Sequence, residues 1–309
     1  FTAIQQQGRV PFRRFFLRRV LRILPAFWVV VAVYYCIPTF REREHLPPLW
    51  RMLSFTQNIG LDLRQNGTFS HAWSLCVEEH FYLLLPVSLF LLLATGVWRY
   101  AAWLLPALWV ACIAGRQLSW SLLYSPLADL PEAPIYWYKN IYYPTWSRLD
   151  GLLAGVSIAA LYVYKPALWQ RIAQYGNVLL AAALVVLGAA YFVCIDQFSH
   201  AASVYGFAVV ALGYGLLVMA AISPTCILYR WRSRATTTIA TLSYGIYLVH
   251  KGVVHIMQQW CTGIEAEGTL MLLVCLLASV AIAWVLYQVV EKPLLAFGSR
   301  WLSSKWVSK

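Results

Sequence analysis

A stretch of polar and ionisable side chains lies directly before one of the most apolar runs in the sequence. Residues 69–82 read FSHAWSLCVEEHFY and are followed by LLLPVSLFLLLA. The adjacent carboxylates Glu78 and Glu79 can act as a general base or orient a histidine, and His71 and His80 supply imidazoles. Ionisable groups at a membrane are costly and usually functional. Alternatively, the two carboxylates have only a structural role, because the first turn of a helix favours negative charge.

Two arginines form a second candidate for chemistry. Arg19 and Arg22 lie in the basic segment FRRFFLRRVLRILP at residues 12–25. Side chains three residues apart share one face of a helix, and guanidinium groups bind phosphate oxygens bidentately. The pair therefore indicates a phosphorylated ligand, or alternatively a basic anchor that contacts anionic lipid head groups.

Two further segments place polar groups in apolar surroundings. In RLDGLLAG, Asp150 begins an apolar run, where it either caps a helix or pairs with Arg148. In LSYGIYLVH, the residues Ser243, Tyr247 and His250 form a polar stripe that we expect to face the interior of a helical bundle. No HExxH or Cys/His pattern typical of metal binding is present, so no metal site is predicted.

The composition requires these groups to be positioned by membrane-spanning helices. The chain is 61% hydrophobic and 12% charged, with a mean hydropathy of +0.63. Its apolar residues form blocks of a length that matches the hydrocarbon core as α-helices. We predict an all-α, polytopic bundle of about eight spans, with no separate soluble domain, at about 21–38, 78–95, 98–117, 147–164, 176–195, 203–222, 236–256 and 268–290.

The distribution of charge orients such a bundle. The formal net charge is +12, which alone could suggest nucleic-acid binding. However, if the chain starts on the cytoplasmic side, most of its Lys and Arg residues fall in cytoplasmic loops, whereas among the acidic residues only Glu291 does. Lys and Arg in short loops favour the cytoplasm. The sequence therefore predicts that both termini of this chain are cytoplasmic and that nucleic acid is not a partner.

The motifs follow one another in an order that resembles the order in a known protein family. Arg-x-x-Arg-Ile-x-Pro, HAWSLCVEEHFYLLLP, RLDGLLAG, LSYGIYLVH and a terminal Glu-x-Pro follow one another over residues 12–293. This arrangement resembles the acyltransferase 3 family of integral membrane acyltransferases, and the HAWSLCVEEHFY block is its specific element. The resemblance implies transfer of an acyl group, commonly acetyl, from acyl-CoA as co-substrate to a hydroxyl of a cell-surface glycan or lipid-linked sugar. It further implies a bacterial inner-membrane location and no bound cofactor.

The resemblance also implies roles for individual residues. Arg19 and Arg22 would hold the donor, and Glu79, supported by Glu78, would orient the catalytic base or the acceptor. The expected substrate-binding residues besides the arginines are His71, Trp73, Ser74, Tyr82, Asp150 and His250.

The sequence departs from the family pattern in its number of spans and in its histidines. Members of the family generally have ten spans, and an early span carries an Arg and, further on, a His regarded as the catalytic base. None of the six histidines in this chain fits that motif, and the sequence begins with Phe1 rather than Met. We therefore expect residues 1–309 to form a single acyltransferase domain that lacks the first two family spans and is inactive on its own.

Two other functional classes fit part of the pattern. A transporter or flippase-like protein for a lipid-linked sugar would also combine polar residues in spans with basic loops, although it would more often show two related halves with broken helices. A catalytically dead partner of an acyltransferase would keep the scaffold. Incorporation of labelled acetyl into membrane glycan distinguishes the enzyme from both.

Overall fold

The regular structure of the protein is helical. A computed structural model describes residues 1–231 and 233–304, and those residues contain no strand. The α-helices are α1 (Thr2–Gln7), α2 (Phe12–Cys36), α3 (Leu49–Leu53), α4 (Leu63–Asn66), α5 (Trp73–Ala94), α6 (Ala101–Ser119), α7 (Ala133–Trp137), α8 (Asp150–Tyr164), α9 (Pro166–Ala173), α10 (Gly176–Val193), α11 (Phe207–Ala221), α12 (Ile227–Arg230), α13 (Arg234–Trp260), α14 (Thr269–Leu286) and α15 (Lys292–Ser304). The predicted all-α class is confirmed.

Short turns of tighter or wider helix connect or extend these helices. The 3₁₀ turns are Pro38–Phe40, Ser70–Ala72, Val97–Tyr100, Ser125–Leu127 and Thr145–Ser147. Single π-helical turns occur at Trp120–Tyr124, Tyr138–Tyr142, Ala202–Gly206 and Tyr287–Glu291. Turns of π-helix inside longer helices are frequent at functional sites.

Several of the helices are suited to a lipid bilayer. Among the described residues, four helical segments are long and apolar enough to cross a membrane: Ser70–Ala94, Gly176–Val193, Ala202–Ala221 and Thr269–Arg300. The count becomes five if α8 and α9 are taken as one bent span. A helix occupies each of the eight predicted segments, but the number of eight spans remains a prediction.

The start of α2 differs from the predicted one, whereas α8 ends at the predicted residue, and both boundaries have local reasons. α2 already begins at Phe12, because its arginines are good helix formers and do not interrupt the helix. α8 ends at Tyr164, and α9 continues at an angle of 110°. Lys165 at this bend has φ −131° and ψ 57°, outside the helical region, and Pro166 follows it. A residue before proline is disfavoured in helical geometry, which explains why the helix breaks there.

Contacts within the chain divide it into two compact units. In the described residues the first unit comprises 1–10, 55–62 and 73–231, and therefore α1 and α5–α12. The second unit comprises 11–54, 63–72 and 233–304, and therefore α2–α4 and α13–α15.

Small residues allow helices within the first unit to approach closely. At Gly213 of α11 a Cβ atom would lie 2.6 Å from Leu187 Cδ2 of α10, and at Gly215 it would lie 3.5 Å from Ala154 Cβ of α8. Such close approach of backbones is typical of helix packing in membranes. α11 is therefore the helix against which both α8 and α10 pack.

The second unit is held together in the same way around α13. A Cβ atom at Gly245 would lie 3.2 Å from Ala283 Cβ of α14, and one at Gly252 would overlap the ring of Phe40. The hydroxyl of Tyr244 donates to the Ile23 carbonyl of α2 at 2.9 Å. α13 is thus fixed against α2 and α14, and it carries the LSYGIYLVH motif.

Candidate functional site

The second unit contains a pair of histidines whose rings meet edge to face. His71 comes from the 3₁₀ turn Ser70–Ala72, and His250 comes from the middle of α13. Their ring centroids are 4.7 Å apart, with an angle of 63° between the ring planes. His71 is only 8% exposed, and His250 is half-buried. The structure therefore brings together two of the substrate-binding residues that the sequence predicts.

Backbone carbonyls determine which nitrogen of each ring carries a hydrogen. His250 Nδ1 is 2.8 Å from the Tyr247 carbonyl, and His71 Nε2 is 3.4 Å from the Leu248 carbonyl. A carbonyl oxygen only accepts hydrogen bonds, so each of these nitrogens must be the donor. In the neutral rings the opposite nitrogens, His250 Nε2 and His71 Nδ1, then have lone pairs that can accept a proton or a hydrogen bond.

One of these accepting nitrogens makes no hydrogen bond to any residue that the structure describes. His71 Nδ1 is buried and makes no hydrogen bond among the described residues. The ring is held in place on its other sides, because the Tyr247 hydroxyl donates to the His71 carbonyl and the Tyr247 ring centroid is 5.4 Å from that of His71. A fixed imidazole with an unsatisfied acceptor is suited to receive a hydroxyl donor.

Charged groups surround the histidine pair. The Lys251 ammonium donates to Ser70 Oγ at 3.2 Å. Glu42 Oε1 accepts from the Phe69 amide at 2.9 Å, while Glu42 Oε2 is buried without a hydrogen-bond partner among the described residues. The opposite charges of Glu42 and Lys251 interact electrostatically. A cation and an anion therefore both contact residues next to His71 in the chain.

Phe69, directly before the turn that carries His71, has a strained backbone conformation. Its φ angle is +55°, in the left-handed region that a phenylalanine rarely adopts. Its fully buried ring packs against Tyr34 and His71, with ring centroids 4.5 and 4.9 Å away. Such strain persists where surrounding packing fixes it, and it is often found at functional sites.

The first unit contains the two predicted carboxylates. Glu78 and Glu79 are half-buried in the second turn of α5. Consecutive residues on a helix point about 100° apart, so the two carboxylates face different directions. The neighbouring His80 Nδ1 lies 2.8 Å from Thr145 Oγ1, which also accepts from Asn58 Nδ2 at 2.9 Å.

Arg148 is enclosed by aromatic rings. This contact was not predicted from the sequence. Its guanidinium carbon lies 5.2 Å from the ring centroid of Trp73, 4.8 Å from that of Tyr142 and 4.2 Å from that of Phe207. Cation–π attraction of this kind is strongest when the cation is desolvated. The aromatic run YWYKNIYY at residues 136–143 was the signal that could have indicated it.

Asp150 forms a buried ion pair, but not with the expected Arg148. Arg116 of α6 donates to Asp150 of α8 through both terminal nitrogens, at 2.5 and 3.3 Å. Arg116 also donates to the Val204 carbonyl at 2.8 Å and to the Ser147 carbonyl at 3.0 Å, and it is fully buried. The pairing with Arg148 was wrong because the packing of α6 against α8 brings a more distant arginine to the carboxylate.

The remaining predicted residues are distributed over both units. In the second unit, Arg19 is half-buried and Arg22 is exposed on α2, and the charge of Arg22 acts on the buried carboxylate of Glu291. In the first unit, Trp73, Ser74 and Tyr82 are half-buried on α5.

The polar stripe on α13 is only partly directed inward. Tyr247 and His250 contact His71, as expected, whereas Ser243 is exposed and donates to the Ala240 carbonyl of its own helix. Within the described residues no group of three or more His, Cys, Asp or Glu side chains could hold a metal ion.

Comparison with known proteins agrees with the motifs. YrhL of Bacillus subtilis (strain 168) is 25% identical over 322 residues, which cover 95% of this chain and 47% of YrhL. The peptidoglycan O-acetyltransferase OatA of Listeria monocytogenes serovar 1/2a is 25% identical over 284 residues, which cover 82% of this chain and 42% of OatA. The chain thus spans less than half the length of these curated relatives. No solved structure matches it significantly.

A family model extends the agreement to almost the whole chain. The model described as an acyltransferase domain matches residues 1–288, which include both histidines of the pair, the two arginines of α2 and the carboxylates of α5. The chain belongs to the acyltransferase 3 family.

Proposed function

We propose that the protein is an integral membrane O-acyltransferase that moves an acetyl group from acyl-CoA to a hydroxyl of a cell-envelope glycan. Membership of the acyltransferase 3 family and the apolar helices support the reaction class and the membrane location. The name of OatA favours peptidoglycan as the acceptor. Acyl-CoA as donor rests on the resemblance and on the paired arginines Arg19 and Arg22.

The observation that carries the proposal is the histidine pair in the second unit. Each of His71 and His250 presents a nitrogen lone pair, and the one on His71 is buried without a partner among the described residues. We assign to the pair the role of accepting hydrogen bonds from hydroxyls of the acceptor sugar next to the one that reacts. The two histidines are positioning residues in this proposal, because orientation of a reactant alone lowers the barrier substantially.

The reaction then follows the usual course of acyl transfer. The hydroxyl oxygen attacks the thioester carbonyl carbon, the C–O bond forms, and the C–S bond breaks. The hydroxyl proton passes to the catalytic histidine that the resemblance implies for the family, which none of the six histidines of this chain matches, and finally to the coenzyme A thiolate. Lys251 lies close enough to the pair, through Ser70, to favour a hydroxyl that is losing its proton.

The test uses two substitutions of His250 that differ in one hydrogen-bonding position. His250→Asn keeps a donor toward the Tyr247 carbonyl but removes the outward acceptor, whereas His250→Gln places an acceptor oxygen near the position of Nε2. In the full-length protein, we expect His250→Asn to lower incorporation of labelled acetyl into membrane glycan by about 100-fold, the size of loss that misplacement of a reactant can cause. His250→Gln is expected to restore part of the activity.

The control is a histidine on the same helix outside the site. His255→Asn removes a ring whose Nε2 contacts Gln259, and it should leave incorporation unchanged. The proposal is wrong if His250→Asn retains full activity, or if the Asn and Gln variants lose the same activity while both remain folded. Helix content and thermal unfolding of the purified variants separate loss of function from loss of structure.

A further inference from the structure

A deep apolar cavity lies between α5, α6 and α8 of the first unit. Its volume is about 700 Å³, and its walls are mainly leucine side chains, such as Leu89 of α5, Leu105 of α6 and Leu161 of α8. The described part of its lining contributes three polar side chains, Ser88, Tyr164 and Lys165. A cavity of this size with few polar groups is typical of a site for a small apolar ligand.

The two ends of the cavity differ in character. Phe81 of α5, Leu153 of α8 and Cys112 of α6 pack in one buried cluster, so α5 and α8 begin at the same end. Leu92 and Lys165 line the cavity toward the opposite ends of these helices. One end is therefore closed by hydrophobic packing, and the other carries an exposed ammonium group.

The length of the cavity fits one leaflet of a membrane. The lining residues of α5 run from Phe81 to Leu92, which at about 1.5 Å per residue is about 17 Å. The hydrocarbon core of a bilayer is about 30 Å thick, so one leaflet contributes about 15 Å. A single acyl chain of a phospholipid would therefore extend along the cavity and end near Phe81.

The position of Lys165 corresponds to the membrane surface. It lies at the 110° bend between the apolar α8 and the amphipathic α9. On α9, Trp169 is buried while Gln170 and Arg171 are exposed. The chain thus turns at Lys165 from an apolar helix into a segment with exposed polar side chains, as expected where a helix leaves the hydrocarbon core. Lysine at this depth is placed to meet a lipid phosphate.

We propose that the cavity binds one acyl chain of an anionic phospholipid from the bilayer, with the lipid phosphate at Lys165. The apolar walls accept the chain, and the lysine selects a negatively charged head group. This site lies in the first unit and is independent of the acyl transfer proposed for the histidine pair. A glycan, a second copy of the chain or a soluble cofactor would not need an apolar slot with a length of one leaflet.

Photo-crosslinking in lipid nanodiscs tests the proposal directly. The probe is a phosphatidylglycerol with a diazirine at the end of one acyl chain, and the matched probe is the corresponding phosphatidylcholine. We expect adducts of the phosphatidylglycerol probe to concentrate at residues 81–85 and 149–153, where the chain would end. Peptide mass spectrometry locates and quantifies them.

Substitutions that fill the cavity provide the matched comparison. Ser88→Phe, or the milder Ala160→Leu, should lower these adducts about tenfold, equivalent to about 1.4 kcal/mol of binding. Leu91→Phe changes an exposed residue of α5 outside the lining and should have no such effect. Adducts spread over all lipid-facing helices, or unchanged by both filling variants, would overturn the occupancy of the cavity.

Charge reversal tests the head-group part of the proposal. Lys165→Glu should reduce the phosphatidylglycerol adducts to the level of the phosphatidylcholine probe, whereas Arg171→Glu on α9 should have a smaller effect. Equal labelling by both probes in the unchanged protein, or equal effects of the two reversals, would rule out selection of an anionic head group by Lys165. Because the readout is labelling and not acetyl transfer, failure here leaves the proposed reaction unaffected.

Discussion

Some charged side chains in this protein, which would normally be hydrated, are buried. Arg116 and Asp150 are the clearest case, since both are buried and share two hydrogen bonds. A buried ion pair contributes little net stability, but removal of one partner leaves the other charge uncompensated. The carboxylate of Asp150 thus already has Arg116 as its partner. If Asp150 also binds substrate, as predicted, it must do so in addition to this structural role.

The first prediction separates these two roles of Asp150. Arg116→Met should destabilise the protein by about 3–5 kcal/mol, because the Asp150 carboxylate is left buried and alone. The double variant Arg116→Met/Asp150→Leu should recover most of the thermal stability, measured as Tm in detergent. If the double variant is stable but fails to transfer acetyl, Asp150 has a functional role in addition to its structural one. A Tm of Arg116→Met equal to that of the unchanged protein would contradict the argument.

Among the helices, α2 and α13 carry most of the predicted functional side chains of the second unit. α2 presents Arg19 and Arg22 one turn apart, and α13 presents Tyr247 and His250 toward His71. α13 is kept close to its neighbours by glycines at positions 245 and 252. The helix therefore has little freedom to shift the imidazole of His250 away from that of His71.

The second prediction concerns donor binding on α2. Arg19→Ala/Arg22→Ala should weaken the binding of acyl-CoA about tenfold or more, since a hydrogen bond to a charged group contributes about 1.5–3 kcal/mol. Arg14→Ala/Arg18→Ala removes the same number of charges from exposed positions of α2 and serves as the control. Isothermal titration of the purified protein with acetyl-CoA measures both affinities. Equal losses of acetyl-CoA affinity in the two double variants would show that Arg19 and Arg22 act only through general electrostatic attraction.

Regular elements were more predictable than the contacts between them. The apolar runs indicated the helices, because a helix satisfies its own backbone in lipid. The motifs also singled out His71 and His250, which the fold brings together. The pairing of Arg116 with Asp150 and the aromatic rings around Arg148 were missed, because they join segments distant in sequence. Local spacing along a helix carries no information on which distant residue packs against it.

At the scale of the whole molecule, the proposed orientation places basic loops in the cytoplasm. Lys165, Arg171 and Arg230 would then lie on the cytoplasmic side, while the loop at residues 261–268, with Glu265 and Glu267, would lie outside. The positive-inside tendency supports this arrangement, and it would place acyl-CoA on the side of α2 that carries Arg19.

The third prediction tests this orientation with single cysteines. In a variant without its native cysteines, Cys at exposed position 263 should react with a membrane-impermeant maleimide in intact cells, whereas Cys at exposed position 171 should react only after the membrane is opened. Mass spectrometry of the labelled protein gives the extent of reaction. The opposite pattern would reverse the topology, and labelling of both positions in intact cells would contradict a spanning arrangement of the helices between them.

The ion pair of Arg116 also bears on how the protein is made. Arg116 lies in the last turn of α6 and is fully buried there, so its charge requires a partner once the helix has packed. Its partner Asp150 is 34 residues further along the chain, which a ribosome adds in about 2 to 7 s at about 5–20 residues per second. During that interval α6 cannot reach its final environment in lipid. The packing of α6 therefore cannot be completed during synthesis before α8 has emerged and has brought the carboxylate of Asp150 to Arg116.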